Sequence, residues 1–358
     1  MPDDDAPLPN LRPPLLTRGA KIRLSALALA VGALIAWWWA TSVRMPGRSF
    51  RGPLAPLDAA GVARRERLRA DVVMLATTIG ARSTSAPAGL VRAARHVESS
   101  FAAAGYAVTR ESYRADAMTC DNLVVERPGS SLRREVVVVG AHYDGVLDKP
   151  AANDNASGAA AVLELARAFA GETLPRTVRF VAFTNEEPFH FQTETMGSLV
   201  HARRARARGD DVVAMLSLET VGYYDPRPGA QRYPPPLSLF YPDRGDFIAF
   251  VGNDAMVGLV RSSVGAFRAR TRFPSEGVAL PERTPGVGWS DHWSFWRAGY
   301  PAIMVTDSAP YRDPNYHRHS DTPDKIDFDR MARVVGGLVD VVRHLASAPR
   351  AAVRGEGL

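Results

Sequence analysis

The chain has 358 residues, of which 46% are hydrophobic and 23% are charged, as in a folded globular protein and unlike a disordered one. Its net charge is +6, but the basic residues are scattered and match no nucleic-acid-binding module, which argues against a nucleic-acid partner. Cys120 is the sole cysteine, so an intrachain disulfide is excluded.

An uncharged apolar stretch at residues 24–43 is the first predicted element. It is as long as a membrane-spanning helix, and the tryptophans at 37–39 suit a membrane interface. Basic residues flank it on both sides, and the positive-inside rule slightly favours a cytoplasmic N-terminus. We predict a single-pass membrane anchor whose following domain is periplasmic or extracellular. The alternative is a signal peptide, cleaved near residues 40–42, that leaves a secreted protein.

Composition divides the remainder of the chain into four parts. Residues 1–23 contain three consecutive aspartates and several prolines and are predicted to form a disordered tail. Residues 44–56, rich in proline, glycine and arginine, are predicted to be a linker. Residues 57–348 have the composition of one folded domain without internal repeats, and residues 349–358 are predicted to be a disordered C-terminal tail.

Within residues 57–348, predicted strands alternate with helices. Helical spacing occurs at residues 57–79, 89–104, 158–170, 196–208, 256–270 and 330–346. Strand patterns occur at residues 106–113, 122–126, 136–142, 177–183, 212–218, 247–251 and 302–306. This alternation predicts an α/β fold, with a mostly parallel or mixed central sheet covered by helices on both faces.

Ionisable side chains are found at the carboxyl ends of three predicted strands. His142 and Asp144 end the first of these strands, Glu186 and Glu187 follow the second, and Glu219 follows the third. In open α/β sheets, ligands bind at this edge. Imidazole and carboxylate groups that meet there form the ligand set of a zinc hydrolase.

Two predicted loops add further candidate ligands. Asp154 lies in a segment of small and amide residues where the chain can approach a metal closely, and His317 lies in a loop before the last helix. Taken singly, a His-x-Asp pair is more often structural and a Glu-Glu pair is more often exposed surface. Buried together without cations, three carboxylates would each cost several kcal/mol of desolvation free energy, which two divalent cations would offset.

The order of these motifs resembles that of the M28 family of zinc aminopeptidases. The resemblance covers roughly residues 89–344, most of the chain after the apolar stretch. The motifs that carry it are His142-x-Asp144, Asn153-Asp154-Asn155-Ala156-Ser157-Gly158, Glu186-Glu187, Glu219, Ser290-Asp291-His292, and Tyr316-His317 with Asp321-Thr322.

The resemblance implies a zinc exopeptidase-like fold and two zinc ions about 3.5 Å apart. By position in the motifs, His142 and Glu219 would bind one zinc ion. Glu187 and His317 would bind the other, and Asp154 would bridge the two.

The resemblance also implies roles for residues that do not bind zinc. Glu186 would be the general base that takes a proton from water and gives it to the leaving amine. Asp144 would orient the imidazole of His142, and Asp291 would support the ligands from behind. Tyr316 is a candidate donor to the developing oxyanion, although packing in its loop explains a tyrosine there equally well.

Three features depart from the M28 pattern. Glu219 stands where many relatives have aspartate, and the segment at residues 188–196 is longer than in simpler members. His319 lies two residues from His317 and competes with it as a ligand. We favour His317, because its four-residue spacing to Asp321 matches the family.

The predicted function is a zinc-dependent hydrolase, specifically an aminopeptidase that removes N-terminal residues from peptides. One alternative is a glutaminyl cyclase-like acyltransferase, which has the same fold and resembles a one-zinc site. A carboxypeptidase or a deacylase of amino-acid conjugates is another. A non-catalytic, receptor-like domain is disfavoured, because such a protein is expected to lack Glu186 or some ligands. The substrate pocket is predicted at residues 223–242 and 188–196, and neither oligomeric state nor side-chain preference is predicted.

Overall fold

The computed structural model describes residues 17–355. They fall into two compact units, with the boundary between residues 41 and 42. The described part of the first unit contains helix α1 (Arg18–Trp38), and a π-helical turn at Trp39–Val43 follows it and extends into the second unit. Thr17 caps α1 by accepting a hydrogen bond from the Ala20 amide (3.2 Å). Within the described residues, Arg18–Val43 is the one helix long and apolar enough to cross a membrane, a criterion that signal sequences also meet.

Helix α1 begins earlier than the hydropathy pattern predicts. Residues 18–23 were predicted to be part of a disordered tail at residues 1–23, but they form the first turns of the helix. The Thr17 cap accounts for this difference, because it satisfies the backbone amide of Ala20, four residues before the apolar stretch begins. Residues 1–16 of the predicted tail lie outside the described residues.

The second unit is built around a mixed sheet. Its described strands are β1 (Thr109–Ala115), β2 (Met118–Arg127), β3 (Leu132–His142), β4 (Arg176–Phe183), β5 (Asp211–Glu219), β6 (Ile248–Asn253), β7 (Ser275–Leu280) and β8 (Ala302–Thr306). They lie in the order β1-β2-β4-β3-β5-β8-β6-β7. Neighbours among β4, β3, β5 and β8 are parallel, as are β6 and β7, whereas the β1–β2, β2–β4 and β6–β8 pairs are antiparallel.

Helices cover both faces of this sheet, which confirms the predicted α/β architecture. They are α2 (Ala59–Val73), α3 (Pro87–Ala103), α4 (Gly158–Phe169), α5 (Gly197–Arg208), α6 (Val257–Arg270), α7 (His292–Arg297), α8 (Ala309–Arg312), α9 (Phe328–Ser347) and α10 (Arg350–Val353). Alternate residues of β3 face opposite sides, so Val137 and Val139 pack in the larger core with α2, α3, α4, α6 and α9. Val136 and Val138 pack in a smaller core with Ala202 of α5 and with α7.

Strand β7 and the short helices α7, α8 and α10 have no clear sequence signal. Glu276 and Gly277 interrupt the apolar pattern of β7, and the strand forms because it pairs in parallel along the whole length of β6. The three helices have four to six residues, which is too few for helical periodicity to be recognised.

Both the predicted linker and the predicted C-terminal tail contact the folded domain. Met45 is buried, Arg268 donates a hydrogen bond to the Pro46 carbonyl (3.2 Å), and the Ser275 amide donates to the Ser49 hydroxyl (3.0 Å). At the other end of the chain, α10 lies within residues 349–358, and its Val353 is buried. The prediction of disorder is therefore wrong for residues 350–353, while residues 356–358 lie outside the described residues.

Candidate metal centre

Three parallel strands bring the predicted ligands to one edge of the sheet. Strand β3 ends at His142, and β5 ends at Glu219. His142 lies opposite Phe183, the last residue of β4, and Glu186 and Glu187 follow this strand after a two-residue turn. Because parallel strands end at the same edge, residues far apart in the sequence meet there.

The imidazole of His142 is surrounded by carboxylates from three elements. Its Nε2 atom lies 3.2 Å from Glu219 Oε2, 3.5 Å from Asp154 Oδ1 and 3.8 Å from Glu186 Oε2. The Ser290 hydroxyl donates a hydrogen bond to Glu219 Oε2 (2.8 Å) and fixes this carboxylate. Glu219 therefore contacts His142, even though the family pattern predicts an aspartate at this position.

A second histidine approaches the same cluster from the loop before α9. The Nε2 atom of His317 lies 2.9 Å from Asp154 Oδ2 and 3.3 Å from Glu187 Oε2. The other oxygen of Asp154, Oδ1, faces His142. Asp154 thus lies between two imidazoles, with one carboxylate oxygen directed to each.

Asp144 connects the far side of His142 to the Glu186–Glu187 turn. Its Oδ1 atom lies 3.5 Å from Nδ1 of His142. Its Oδ2 atom accepts hydrogen bonds from the backbone amides of Glu186 (3.1 Å) and Glu187 (3.4 Å). A carboxylate behind Nδ1 favours the tautomer that leaves the Nε2 lone pair free for a cation.

Side-chain hydrogen bonds hold the loop that carries Asp154. Asp321 accepts hydrogen bonds from the amides of Asn153 (2.7 Å) and Asp154 (3.1 Å). The Asn155 side chain accepts one from the amide of Thr220 (3.0 Å), the residue that follows β5. The loop of Asp154 is therefore connected to two other segments that carry predicted ligands, the loop of His317 and the end of β5.

The protonation equilibria of the cluster reflect its burial. Burial raises the pKa of Glu186 well above its ordinary value, and it raises the pKa of Glu219 as well. Burial and the charge of Asp154 raise the pKa of Glu187 to about 8. Burial alone would lower the pKa of His317, but Asp154 and Glu187 raise it to about 10. Such carboxylates ionise readily only beside positive charge, which divalent cations supply.

The donor atoms fit a metal ion in two overlapping groups. One ligand atom each of His142, Glu186 and Glu219 lie within 4.8 Å of one another, and so do those of His142, Asp154 and Glu187. Within the described residues, the buried Oε1 atom of Glu187 has no hydrogen-bond partner. Imidazole nitrogen and carboxylate oxygen are ligands that zinc accepts in hydrolytic sites. The residues present therefore fit a metal centre.

Two further predicted residues, Tyr316 and Asp291, differ from the candidate ligands in their contacts. The ring of Tyr316 stacks on that of His317, with centroids 3.9 Å apart and an interplanar angle of 18°. Asp291 is fully buried, and neither of its carboxylate oxygens has a hydrogen-bond partner in the described part of the chain. Burial raises the pKa of Asp291 to about 7.

The structure distinguishes the two histidines that competed as ligands. His319 has 68% of its side chain exposed, lies 3.7 Å from Asp148, and is within hydrogen-bond distance of Lys149 (3.1 Å). It contacts none of the candidate ligands that surround His317.

Replacing His317 by alanine is expected to weaken zinc binding by more than about tenfold, because even residues outside the ligand set change metal affinity by that factor. Replacing His319 by alanine is the matched control and should leave zinc affinity unchanged. Equilibrium dialysis at buffered free zinc, followed by metal analysis, measures both. If His319→Ala loses zinc and His317→Ala retains it, His319 is the ligand and His317 is not.

A cavity of about 110 Å³ opens beside the cluster, with Glu219 and Tyr316 in its wall. Most of the remaining wall is apolar and includes Tyr233, Phe247, Val251, Trp289 and Met304. Six residues between 231 and 241 line the cavity, in agreement with the predicted pocket at residues 223–242.

As far as the chain is described, residues 188–196 do not line this cavity, and their place in the substrate pocket stays a prediction. Its His190 is buried, and the two ring nitrogens lie 3.1 Å from the Thr84 hydroxyl and 2.8 Å from the Thr195 hydroxyl. Gln192 donates a hydrogen bond to the Gly288 carbonyl (3.2 Å). Gly288 lies between Val287 and Trp289, two residues of the cavity wall, so this contact holds the segment next to that wall.

Comparison with known proteins places the chain in a family. Residues 122–342, more than half of the chain, match the family model described as Peptidase family M28. The chain belongs to peptidase family M28. The M28 assignment supports a hydrolase that uses a metal ion, as the motif order at the sheet edge predicts.

Two relatives show how similar this M28 chain is to other proteins in sequence. It is 36% identical over 287 residues to a protein named Uncharacterized protein YfbL from Escherichia coli K12, and the match covers 77% of the chain and 87% of YfbL. It is 27% identical over 240 residues to a Probable leucine aminopeptidase from Arthroderma otae. That match covers 63% of the chain and 57% of the fungal protein, so the M28 chain spans little more than half of the latter.

Solved structures share the fold of this M28 chain. BSAP, a zinc aminopeptidase from Bacillus subtilis, is similar with a TM-score of 0.63 and 15% identity, covering 82% of the chain and 97% of BSAP. Fimbriiglobus ruber glutaminyl cyclase is similar with a TM-score of 0.56 and 22% identity, covering 84% of the chain and 99% of the cyclase. These similarities confirm the predicted zinc exopeptidase-like fold, and at such identities they concern the fold alone.

Proposed function

We propose that this chain is a two-zinc aminopeptidase that hydrolyses the N-terminal residue from peptides. The observation that carries the proposal is the position of Asp154, whose Oδ1 lies 3.5 Å from Nε2 of His142 and whose Oδ2 lies 2.9 Å from Nε2 of His317. A carboxylate shared between two imidazoles suits two cations with one bridging ligand. Relatives named leucine aminopeptidases support the choice of an aminopeptidase.

In this proposal, the five ligands divide into two sets around Asp154. His142 and Glu219 would hold one zinc ion, and Glu187 and His317 would hold the other. Bound zinc would act as a Lewis acid toward the peptide carbonyl and lower the pKa of water from 15.7 toward about 7. Asp144 would keep the His142 ring oriented through the contact at Nδ1.

Glu186 is proposed to move the proton during hydrolysis. Among the carboxylates around His142, its oxygen lies farthest from the imidazole, at 3.8 Å, and its backbone amide is fixed by Asp144. Its carboxylate would accept a proton from the attacking water and deliver it to the leaving amine as the C–N bond breaks. Tyr316, which shares a cavity wall with Glu219, would donate a hydrogen bond to the carbonyl oxygen. Asp291 would act through its charge on His142.

The cavity beside Glu219 would receive the side chain of the N-terminal residue. Its wall is mostly apolar, and its charged members are the acidic Glu219 and Glu276 and the exposed Arg232, so burying an aspartyl side chain there would cost desolvation free energy. We expect leucyl and phenylalanyl amides to be hydrolysed at least about tenfold more efficiently than aspartyl amide, measured as kcat/KM. A preference for aspartyl amide would show that this cavity does not bind the side chain.

The reaction class is tested with the full chain purified in detergent and loaded with zinc. A peptide with N-terminal leucine, its N-acetylated form and a peptide with N-terminal glutamine are incubated separately, and the products are identified by mass. The proposal expects release of free N-terminal residues and no cleavage of the acetylated peptide. Pyroglutamate formation without hydrolysis would instead indicate a glutaminyl cyclase, and loss of the C-terminal residue or of the acetyl group would indicate a carboxypeptidase or a deacylase.

For location, we propose a single-pass anchor at residues 24–43 with the peptidase domain periplasmic or extracellular. The support is a helix of sufficient length without acidic residues. The mass of the mature protein tests it, since an intact N-terminus is expected of an anchor. A chain that begins after residue 42 would identify a cleaved signal peptide and a secreted enzyme.

A further inference from the structure

A fully buried arginine lies against the loop that joins His142 to Asp154. Arg82 has no exposed surface, and it is among the largest side chains buried in the described part of the chain. Within residues 17–355, no carboxylate lies within ion-pair distance of it, whereas the other completely buried arginine, Arg176, lies 2.6 Å from Glu135. A buried cation without a paired carboxylate is costly unless its N–H groups are satisfied.

The guanidinium of Arg82 is satisfied by five backbone carbonyls. Its Nε donates to the carbonyl of Tyr143 (2.7 Å), its Nη2 donates to that of Ala151 (2.6 Å), and one Nη1 hydrogen bond goes to Pro150 (2.6 Å). Longer Nη1 contacts join it to the carbonyls of Leu75 (3.4 Å) and Gly80 (3.3 Å), in and directly after the π-helical turn Met74–Ile79 that follows α2. The planar fork of arginine therefore links three pieces of backbone.

The strongest of these acceptors flank residues of the proposed metal site. The Tyr143 carbonyl lies between His142 and Asp144 in the chain, and Ala151 precedes the bridging Asp154 by three residues. The Gly145 amide also donates a hydrogen bond to the Arg82 carbonyl (3.0 Å). Arg82 thus fixes both ends of the loop between the first ligand and the bridging ligand.

The two residues after Arg82 extend the same attachment. The Ser83 hydroxyl donates to the Leu147 carbonyl (2.9 Å), in the middle of that loop. The Thr84 hydroxyl lies 3.1 Å from Nε2 of His190, in the segment that follows the Glu186–Glu187 turn. The segment at residues 82–84 therefore contacts both the loop after His142 and the segment after the Glu186–Glu187 turn.

The charge of Arg82 also holds it in place. Arginine stays protonated at neutral pH, and its interactions with Asp144, Asp321, Asp154 and Glu187 are attractive. This attraction adds to the hydrogen bonds that join the guanidinium to the surrounding backbone.

We propose that Arg82 is a positioning residue of the metal centre: its guanidinium fixes the loop from Tyr143 to Ala151 and thereby holds His142 and Asp154 at the separation that binds cations. The inference rests on the proposed function in so far as that function requires a bound metal. It concerns metal affinity and loop order, which are measurable without peptide hydrolysis.

The test compares Arg82→Lys with Arg176→Lys in the full chain purified in detergent. Lysine keeps the charge but loses the fork, so Arg82→Lys is expected to weaken zinc binding by about 10–100-fold in competition with a fluorescent chelator. Arg176 donates to the carbonyls of Leu345 and Ala348 at the opposite end of β4, so it controls for the loss of a buried arginine. Arg176→Lys should leave zinc affinity unchanged, whatever its effect on thermal stability.

Hydrogen exchange of the metal-free proteins provides a second readout. Amides at residues 143–154 are expected to exchange faster in Arg82→Lys than in the wild type, with those of β3 unchanged. If Arg82→Lys does not fold, Ser83→Ala, which removes only the bond to Leu147, should change exchange and zinc affinity in the same direction by a smaller factor.

Unchanged zinc affinity and loop exchange in the Arg82 variant, or in Ser83→Ala where that variant replaces it, would overturn the proposal. An equal loss of affinity in the Arg176 variant would overturn it as well, because the effect would then be general destabilisation. Failure of the proposed function gives a different result: the wild type would bind zinc but release no N-terminal residue.

Discussion

Replacement of Glu186 by glutamine is expected to lower kcat by about 10²–10⁴-fold while zinc remains bound. Glutamine has nearly the shape of glutamate but cannot accept the proton of the attacking water. The amide of residue 186 can still donate to Asp144, so the backbone of the turn is kept. Metal analysis and the hydrolysis of leucyl amide, measured on the same preparation, separate binding from turnover.

Glu194→Gln is the matched control for this substitution. Glu194 lies in the segment that follows the Glu186–Glu187 turn, is exposed, and pairs with Arg203 at the surface. It should retain full activity. If Glu186→Gln loses zinc, Glu186 is a metal ligand, which its proximity to His142 and Glu219 allows. If its turnover is near normal, Glu186 is not the general base.

Replacement of Asp154 by alanine should abolish activity and weaken zinc binding by more than about 100-fold, beyond the range seen for residues outside the ligand set. Its carboxylate faces both His142 and His317, so its loss removes a donor from both groups of ligands. Removing Asp154 also removes the charge that raises the pKa of Glu187, so the lost affinity would come from the missing donor and not from protonation of the remaining glutamates. Zinc titration of the dialysed protein measures the effect.

Asp148→Ala controls for the loss of an acidic residue from the same loop. Asp148 is 67% exposed on its side chain and pairs with Lys149, so this variant should bind zinc normally. Asp154→Asn adds a finer comparison, because asparagine keeps the size of the side chain and removes its charge. Full zinc content in Asp154→Ala would mean that the bridging role is misassigned.

The arrangement of the ligands was predictable because it follows from parallel strands. An apolar run that ends at His142 and another that ends at Glu219 must deliver both side chains to one sheet edge once the strands are parallel. The contact between Asp144 and the far nitrogen of His142 also follows from local sequence. The choice between His317 and His319 required the family spacing, and the loop geometry agrees with it.

Other parts of the site leave no signal in a single sequence. Arg82 stands in a short polar segment before α3, where an arginine is ordinarily expected to be in water, and only the tertiary structure surrounds it with carbonyls. Asp321 and Asn155 were visible as members of motifs, but their hydrogen bonds to the loop of Asp154 and to the end of β5 depend on three-dimensional packing. The position of residues 188–196 likewise depends on distant partners such as Gly288.

The segment between the apolar helix and the domain belongs structurally to the enzyme. Met45 lies against Gly277, and the Ser49 hydroxyl accepts a hydrogen bond from the first residue of the edge strand β7. That strand also supplies Glu276 and Val278 to the wall of the cavity. Trimming the protein at residue 57 would thus bare a sheet edge that invites association between copies. It would also loosen a wall of the cavity that we propose receives the substrate side chain, so residues 45–49 would influence the proposed substrate preference.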